Sequence, residues 1–314
     1  MPSPTPFNGI VIVDKPSGMT SHDVVHHARK LFRTRRVGHT GTLDPDATGV
    51  LVICLGNATR LAEYLSCARK HYVAEITFGI ETDTQDASGQ VLATRNACHL
   101  RGSDVSGLLP RFRGTMKQIP PMVSAVHHEG RRLYELARAG IEVTRAAREV
   151  CIDMLELTAF VPGEQPRATL EVTCSTGTYI RTLAADLGRL VGTGGMLSGL
   201  RRSWVGDARR RYTLCEAQTL DALRERERAG TLAEVVLPPS TVVNGWPTAR
   251  LDAVCEARIR RGQPAQLAEL IGDQLFQWET AAEGDLSALL DNKGDLLAIA
   301  RLIAGQLQPI KVFA

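Results

Sequence analysis

No apolar run in this chain approaches the roughly 20 residues that a membrane-crossing helix needs, although 44% of its 314 residues are hydrophobic. The start, MPSPTPFNG, also lacks the charged-then-apolar pattern of an export signal, so the expected location is the cytoplasm. Seven cysteines (Cys54, Cys67, Cys98, Cys151, Cys174, Cys215, Cys255) are odd in number and never spaced as CxxC, which argues against a disulfide framework or a zinc site and predicts reduced, mostly buried thiols. The histidines include the neighbours His26/His27 and His127/His128 but no HExxH, so no metal is expected. There is no GxGxxG or Walker loop, no internal repeat, no low-complexity stretch and no Lys-rich tail. A net charge of only +3 is not by itself the mark of a nucleic-acid binder.

What the chain does have is the stretch GHTGTLDPDATG, Gly38 to Gly49, followed by the apolar run VLVICLG to Gly56. Its glycines permit close backbone approach, and Pro45 pushes Asp44 out of the helical region. A turn of this kind presents Asp44 rather than burying it in a helix. The Val/Ile/Leu run reads as a buried strand that holds the turn stiffly, with His39, Thr40 and Thr42 beside it. The alternative is that Asp-Pro-Asp is turn punctuation alone.

Upstream, Val11 to Val13 form a short strand stopped at Lys15-Pro16, and Ser21 is placed to cap an amphipathic helix through Val24, Val25, Ala28, Leu31 and Phe32. Downstream, Thr59 to Ala68 reads as a helix, His71 to Gly79 as an alternating strand, and TDTQDASG (Thr82 to Gly89) as a polar loop. Arg113 to Gly140 is basic and irregular around Pro120 and Pro121, with a short helix over Arg132 to Ala139. Arg148 to Phe160 and Arg167 to Thr176 are strands, and Gly177 turns the chain into a helix, Thr178 to Gly192, with Tyr179 and Arg181 in its first turn. LRRSWVGDARRR ends the sheet, and Thr213 to Gly230 is a charged helix. Strands and helices mix without strict alternation, which points to an α+β fold with a mostly antiparallel sheet. Pro238, Pro239, Gly245 and Pro247 mark a boundary, and beyond about Ala249 a helix ending near Gly262, the run QLFQW, two apolar runs around Asn292 to Asp295 and a closing PIKVF form a small β-rich module.

Basic residues cluster at Arg29 to Arg36, Arg69 and Lys70, Arg131 to Arg148, Arg201 to Arg211 and Arg258 to Arg261. Converging on one face, such clusters track a phosphate backbone; dispersed, each is a solvated face near compensating acids.

These pieces, in order, resemble the bacterial tRNA pseudouridine synthases of the TruB family. The motifs GIVIVDKPSGMTS, GHTGTLDPDATGVLVICLGNATR, RKHYVAEITFG with TDTQDASG, IPPMVSAVHHEGRRLYELARAGIEV, CSTGTYIRTLAADLG and LRRSWVG cover about Gly9 to Gly206. The resemblance implies a pseudouridine synthase catalytic domain over residues 1–248, with an insertion at about 113–147, and a C-terminal module over 249–314 that resembles, less specifically, an RNA-binding PUA domain. It implies conversion of uridine 55 in the TΨC loop of tRNA to pseudouridine by a stand-alone monomer that needs no cofactor and no metal.

On the same resemblance Asp44 is the catalytic aspartate, Tyr72 contacts the target base, Arg181 pairs with the aspartate and His39 lies near the displaced base. Tyr179 and Leu200 join the substrate-binding set, and Lys15 with Pro16 supports the site. Asp46 stands where the family is expected to have an apolar residue, and Val123 where it often has an aromatic. Physically, the isomerisation is redox-neutral and not a hydrolysis, so one ionised carboxylate near the sugar suffices, as nucleophile or as base. Arg181 is expected to lower that carboxylate's pKa by roughly 1 to 3 units. The other readings are a guide-RNA-dependent synthase and a non-catalytic RNA-binding or tRNA-folding protein. Two carboxylates of a glycosidase are not expected, since Asp44 and Asp46 point apart across an extended turn.

Overall fold

The computed structural model describes residues 7–313 apart from 125, 129 and 267–281. The run QLFQW lies outside the described residues. The chain opens with β1 (Gly9–Lys15), six of whose seven residues are buried, and enters α1 (Ser21–Leu31). Thr20, not Ser21, is the N-cap: its hydroxyl accepts from the Asp23 amide while the Asp23 carboxylate accepts from the Thr20 amide. That reciprocal pair satisfies two orphan amides and frees Ser21 to face inward.

The short β2 (Val37–His39) and the long β3 (Thr48–Leu55) bracket the Asp44 turn, and β3 is buried at seven of eight positions. A tight helical turn, Gly56–Leu61, precedes α2 (Ala62–Ser66), so the helix expected over 59–68 is only five residues of regular α-helix. Next come β4 (Arg69–Phe78) and the hairpin β5 (Ile80–Thr82) with β6 (Val91–Thr94), which takes the ends of the polar loop. After α3 (Gly102–Leu108), the stretch expected to be irregular begins with a strand, β7 (Gly114–Gln118), paired to the sheet edge. It continues through the small hairpin β8 (His127–His128) and β9 (Arg131–Arg132) into α4 (Leu133–Arg138).

The second half supplies β10 (Arg148–Val161), β11 (Arg167–Cys174), α5 (Ile180–Leu190), β12 (Gly195–Gly206) and β13 (Arg211–Thr213). The charged helix is α6 (Leu220–Ala229), capped by the Thr219 hydroxyl and closed by Gly230 at positive φ, so it starts seven residues later than Thr213. The C-terminal sheet comprises β14 (Thr248–Arg250), β15 (Ala265–Gln266), β16 (Leu286–Leu290), β17 (Leu296–Ile303) and β18 (Gln306–Val312), with α7 (Ala253–Arg260) packed on it.

In the nine-stranded main sheet the order is β1-β3-β12-β4-β11-β10-β7, with β2 on β3 and β13 on β12. The late strand β12 therefore lies inside the sheet, between β3 and β4. Only β3 and β12 run parallel; the other pairs of this sheet are antiparallel. Gly49, at the start of β3, is held at φ +102, and a Cβ there would lie 2.2 Å from the Arg202 carbonyl oxygen, so only glycine lets the two parallel strands meet. On one face α5 and α3 cover an apolar core built from Ala74, Ile76, Phe78, Leu170, Val172, Leu183 and Leu187. A Cβ on Gly188 would fall 2.1 Å from the Gly195 amide nitrogen, which sets how closely α5 sits on β12. A further core joins Val50, Val52 and Leu61 to Ala288, Leu296 and Ile299 of the C-terminal sheet. Three cysteines are buried (Cys54, Cys174, Cys255), but Cys67, Cys98 and Cys215 are exposed, so the expectation of mostly buried thiols does not hold. None is within a disulfide.

Candidate active site

Asp44 sits on the turn between β2 and β3, and three buried side chains hold that turn through its backbone. Ser21 donates to the Leu43 carbonyl (3.1 Å) and accepts from the Leu43 amide (2.8 Å). Lys15, 0% exposed at the end of β1, donates from Nζ to the carbonyls of Pro16 (2.8 Å), Met19 (2.5 Å) and Pro45 (2.8 Å). Arg202, on β12, donates to the carbonyls of Val50 (2.7 Å), Gly41 (3.0 Å) and Thr42 (3.5 Å). The carbonyls around Asp44 are thus committed, which sets its carboxylate on a stiff loop. Its side chain is 40% exposed, whereas Asp46 is solvent-facing and lines neither neighbouring cavity.

The first turn of α5 carries Arg181 to Asp44. Its Nη2 donates to Asp44 Oδ1 (3.1 Å), and its Nε lies 3.0 Å from Oδ2 as a close ion contact without a hydrogen bond; Arg181 is 4% exposed. The same guanidinium reaches Asp86 Oδ2 (3.4 Å) and donates to the carbonyls of Thr84 (3.3 Å) and Val123 (2.9 Å). One buried cation therefore joins the Asp44 turn, the 82–89 loop and the 113–147 segment. The loop is shaped for this: Asp86 Oδ1 accepts from Thr84 Oγ1 (2.6 Å) and Ser88 Oγ (2.6 Å), which turns Oδ2 toward Arg181.

Burial pushes the Asp44 carboxyl above its ordinary pKa, and the nearby Asp86 adds to the rise; Arg181 and Lys15 oppose it without reversing it. Arg181 does lower this pKa, as expected, but withdrawal from water outweighs the pairing, so the carboxyl does not end below its ordinary value. Burial likewise raises the Tyr72 hydroxyl and, at His39, favours the neutral imidazole. Lys15 and Lys70 are lowered by burial to about 8.

Two cavities meet at Asp44. The inner one, about 210 Å³, is lined by Tyr72, Tyr179, Arg181, Leu200, Lys70 and Arg202. The outer cleft, about 1130 Å³, is lined by His39, Pro45, Met122, Val123, Ile141 and Leu92 among others. Thr42, Leu43, Asp44 and Ser124 border both. The sequence-expected residues are therefore brought together, Tyr72 and Arg181 on the inner side and His39 on the outer. His39 Nδ1 accepts from the Gly41 amide (3.3 Å), a local backbone bond, while the ring still borders the cleft. Tyr179 is the N-cap residue of α5 rather than part of its first turn, and Gln118 grips its backbone with both amide atoms (2.8 and 3.0 Å).

Sequence reasoning missed Asp86, Arg202, Lys70, Ser21 and Gln118. Asp86 and Arg202 lie inside TDTQDASG and LRRSWVG, where they were read as loop and as basic surface. No group of three or more metal-ligating side chains occurs among the described residues.

The mixed, mostly antiparallel sheet with α5 and α3 on one face is the fold of a pseudouridine synthase. Solved structures bear out the fold: "Structure of H/ACA RNP bound to a substrate RNA containing 2'-deoxyuridine" aligns at TM-score 0.68 and 22% identity over 98% of this chain and 85% of that one. "Crystal Structure of a Cbf5-Nop10-Gar1 Complex" aligns at 0.67 and 24% over 98% and 84%. Within that class the chain belongs to the TruB family of pseudouridylate synthases. The family model "TruB family pseudouridylate synthase (N terminal domain)" matches residues 29–180. Proteins named tRNA pseudouridine synthase B are 48% identical in Symbiobacterium thermophilum (81% of this chain, 82% of that protein), 42% in Moorella thermoacetica (94% and 93%) and 40% in Bacillus subtilis (93% and 92%).

Proposed function

We propose that this protein isomerises uridine 55 in the TΨC loop of tRNA to pseudouridine, alone and as a monomer in the cytoplasm, with Asp44 as the catalytic carboxylate. The observation that carries this is the Asp44–Arg181 pair opening onto a cavity walled by Tyr72. The target base is flipped out of its loop, at a cost of a few kcal/mol, and stacks against Tyr72 in the inner cavity. His39, on the outer side, fills the vacancy. Tyr179 and Leu200 border the base, and Lys15 keeps the turn rigid through the Pro45 carbonyl. Asp44 acts at the sugar, as nucleophile or as base, while the bond from N1 to C1′ breaks. The base then turns and rejoins through C5. No atom is gained or lost and nothing is oxidised, so no cofactor or metal is invoked. The C-terminal module over 249–314 supplies a second RNA contact.

A guide-dependent enzyme is the runner-up. The stand-alone reading is supported by relatives at 40–48% identity that carry the tRNA name. The test is Asp44→Asn, which keeps shape but removes charge. Its single-turnover rate is expected to fall by more than the roughly hundredfold of a supporting proton-transfer group, with tRNA binding by filter retention near normal. A fully active Asp44→Asn contradicts the assignment.

A further inference from the structure

Two buried cations on the inner wall of the site have no acid to balance them. Lys70 and Arg202 are 5% and 1% exposed, and among the described residues neither forms an ion pair, although Arg181 beside them is shared by two carboxylates. Both press on one point: a Cβ at Gly41 would lie 3.6 Å from Lys70 Cε and 3.7 Å from Arg202 Nη1. Burying one charge without a partner costs several kcal/mol, and adjacent like charges add to it. Lys15, also buried without an ion pair among the described residues, gives all three of its protons to carbonyls and stands outside the cavity, whereas Lys70 and Arg202 line it; that difference points to an anion that occupies the cavity during the protein's work.

Their donors are not all spent. Lys70 Nζ, which has three protons, gives to the Ser66 and Ala68 carbonyls at 2.7 and 2.8 Å. Arg202, with five N–H groups, gives to the carbonyls of Val50, Thr42 and Gly41 and acts on the Tyr72 hydroxyl. Thr178 to Arg181, at the positive end of the eleven-residue α5, line the same cavity.

We infer that Lys70 and Arg202 form a seat for the detached uracil anion, holding it in the inner cavity while it turns between bond breaking and bond making. This rests on the proposed function. When the bond from N1 to C1′ breaks, its electron pair leaves with the base, and the negative charge spreads over N1, O2 and O4. That is so whether Asp44 attacks the sugar carbon or removes a sugar proton. The ring then turns, C5 bonds to C1′, the C5 proton leaves to a base, and N1 takes up a proton, so atoms and charge balance. Attraction to a fixed positive charge does not depend on the ring's orientation. Neutral donors aimed at single ring atoms would instead resist the turn.

The test uses the intact protein and three small probes: 5-nitrouracil, ionised at neutral pH, neutral uracil, and inorganic phosphate. The unaltered protein is expected to bind 5-nitrouracil at least about tenfold more tightly than uracil by titration calorimetry. Lys70→Gln and Arg202→Gln, checked for fold by circular dichroism, lose that preference. On tRNA their single-turnover rate falls by roughly 10²- to 10³-fold, the scale for removing one preorganised donor at a developing anion, while the half-saturating tRNA concentration is unchanged; Lys70→Arg recovers rate. Equal binding of 5-nitrouracil and uracil by the unaltered protein overturns the proposal and requires no variant. A preference that survives both substitutions overturns it too, as does phosphate binding as tightly as 5-nitrouracil, which would make the seat a backbone-phosphate site. Pseudouridine formation by the unaltered protein decides the proposed function separately.

Discussion

Asp44 is one carboxylate set between a cation and a second carboxylate, and its titration reads out that balance. Burial raises its pKa, Asp86 raises it further and Arg181 lowers it. On the proposed mechanism, which uses the charged form of Asp44, the rate is expected to fall as pH drops through this raised value, with the acid limb above the ordinary carboxylate range. Asp86→Asn removes a like charge, and the limb is expected to move to lower pH. Arg181→Lys keeps the charge near Asp44 but loses the planar guanidinium that reaches Asp44, Thr84 and Val123 together, so the rate is expected to drop while the limb moves less than it would on losing the charge. Single-turnover rates from acid to neutral pH check both signs; an upward shift in Asp86→Asn contradicts the electrostatic account.

At this scale the sequence was informative about Asp44, His39, Tyr72 and Arg181 as a resemblance, and about the turn that presents Asp44 from residue chemistry alone. It was not informative about Arg202, because LRR reads equally well as a basic surface, and only the central position of β12 shows that one arginine of the pair points inward. Arg201, next to it, instead pairs with Asp14 (2.8 Å).

At the scale of elements, α1 separates stability from function at two adjacent residues. Thr20 caps the helix, while Ser21 fixes the Leu43 backbone next to Asp44. Thr20→Ala is expected to cost about 0.5–2 kcal/mol of stability with turnover nearly intact. Ser21→Ala removes two bonds to the catalytic turn and is expected to slow single turnover with a smaller loss in thermal midpoint. Melting curves beside rate measurements check the pair, and a reversed order of effects would show the cap misassigned.

The cap expected at Ser21 lies one residue earlier, at Thr20: Thr20 and Asp23 have the capping-box spacing, which Ser21 and Val24 lack. The strand β7 was not, since GTMKQ has no clear apolar alternation and owes its state to pairing with β10. The late start of α6 follows from Thr213 to Glu216 forming their own capped turn.

Across the whole molecule, the C-terminal module is not a loose appendage. Its Ala288, Leu296 and Ile299 share a core with Val50, Val52 and Leu61, and Lys311 donates to the Arg60 carbonyl (2.8 Å) and pairs with Glu63. Cutting the chain before Thr248 is therefore expected to lower the thermal midpoint and weaken tRNA binding. It should leave turnover at saturating tRNA, measured below the new midpoint, because every assigned site residue precedes the cut. Loss of turnover in a truncated protein that circular dichroism shows folded would place part of the site in the module.

The charge clusters also divide at this scale. Arg210 is committed to Glu216 and lies over the Tyr212 ring, and Arg211 stacks on Trp204, so they are structural as well as basic. Arg35 and Arg36 are exposed beside β2. Replacing both with Gln is expected to flatten the salt dependence of tRNA binding by about one unit or less per phosphate contact, and Arg210→Gln is expected to lower stability with less effect on the slope.

The most direct measurement is incubation of the purified protein with an unmodified tRNA transcript, in chelator and with no partner or guide added, followed by position-by-position mapping of pseudouridine. The account predicts product at one position, uridine 55 of the T loop. No product, or product only when a metal, a second protein or a guide RNA is supplied, would contradict it.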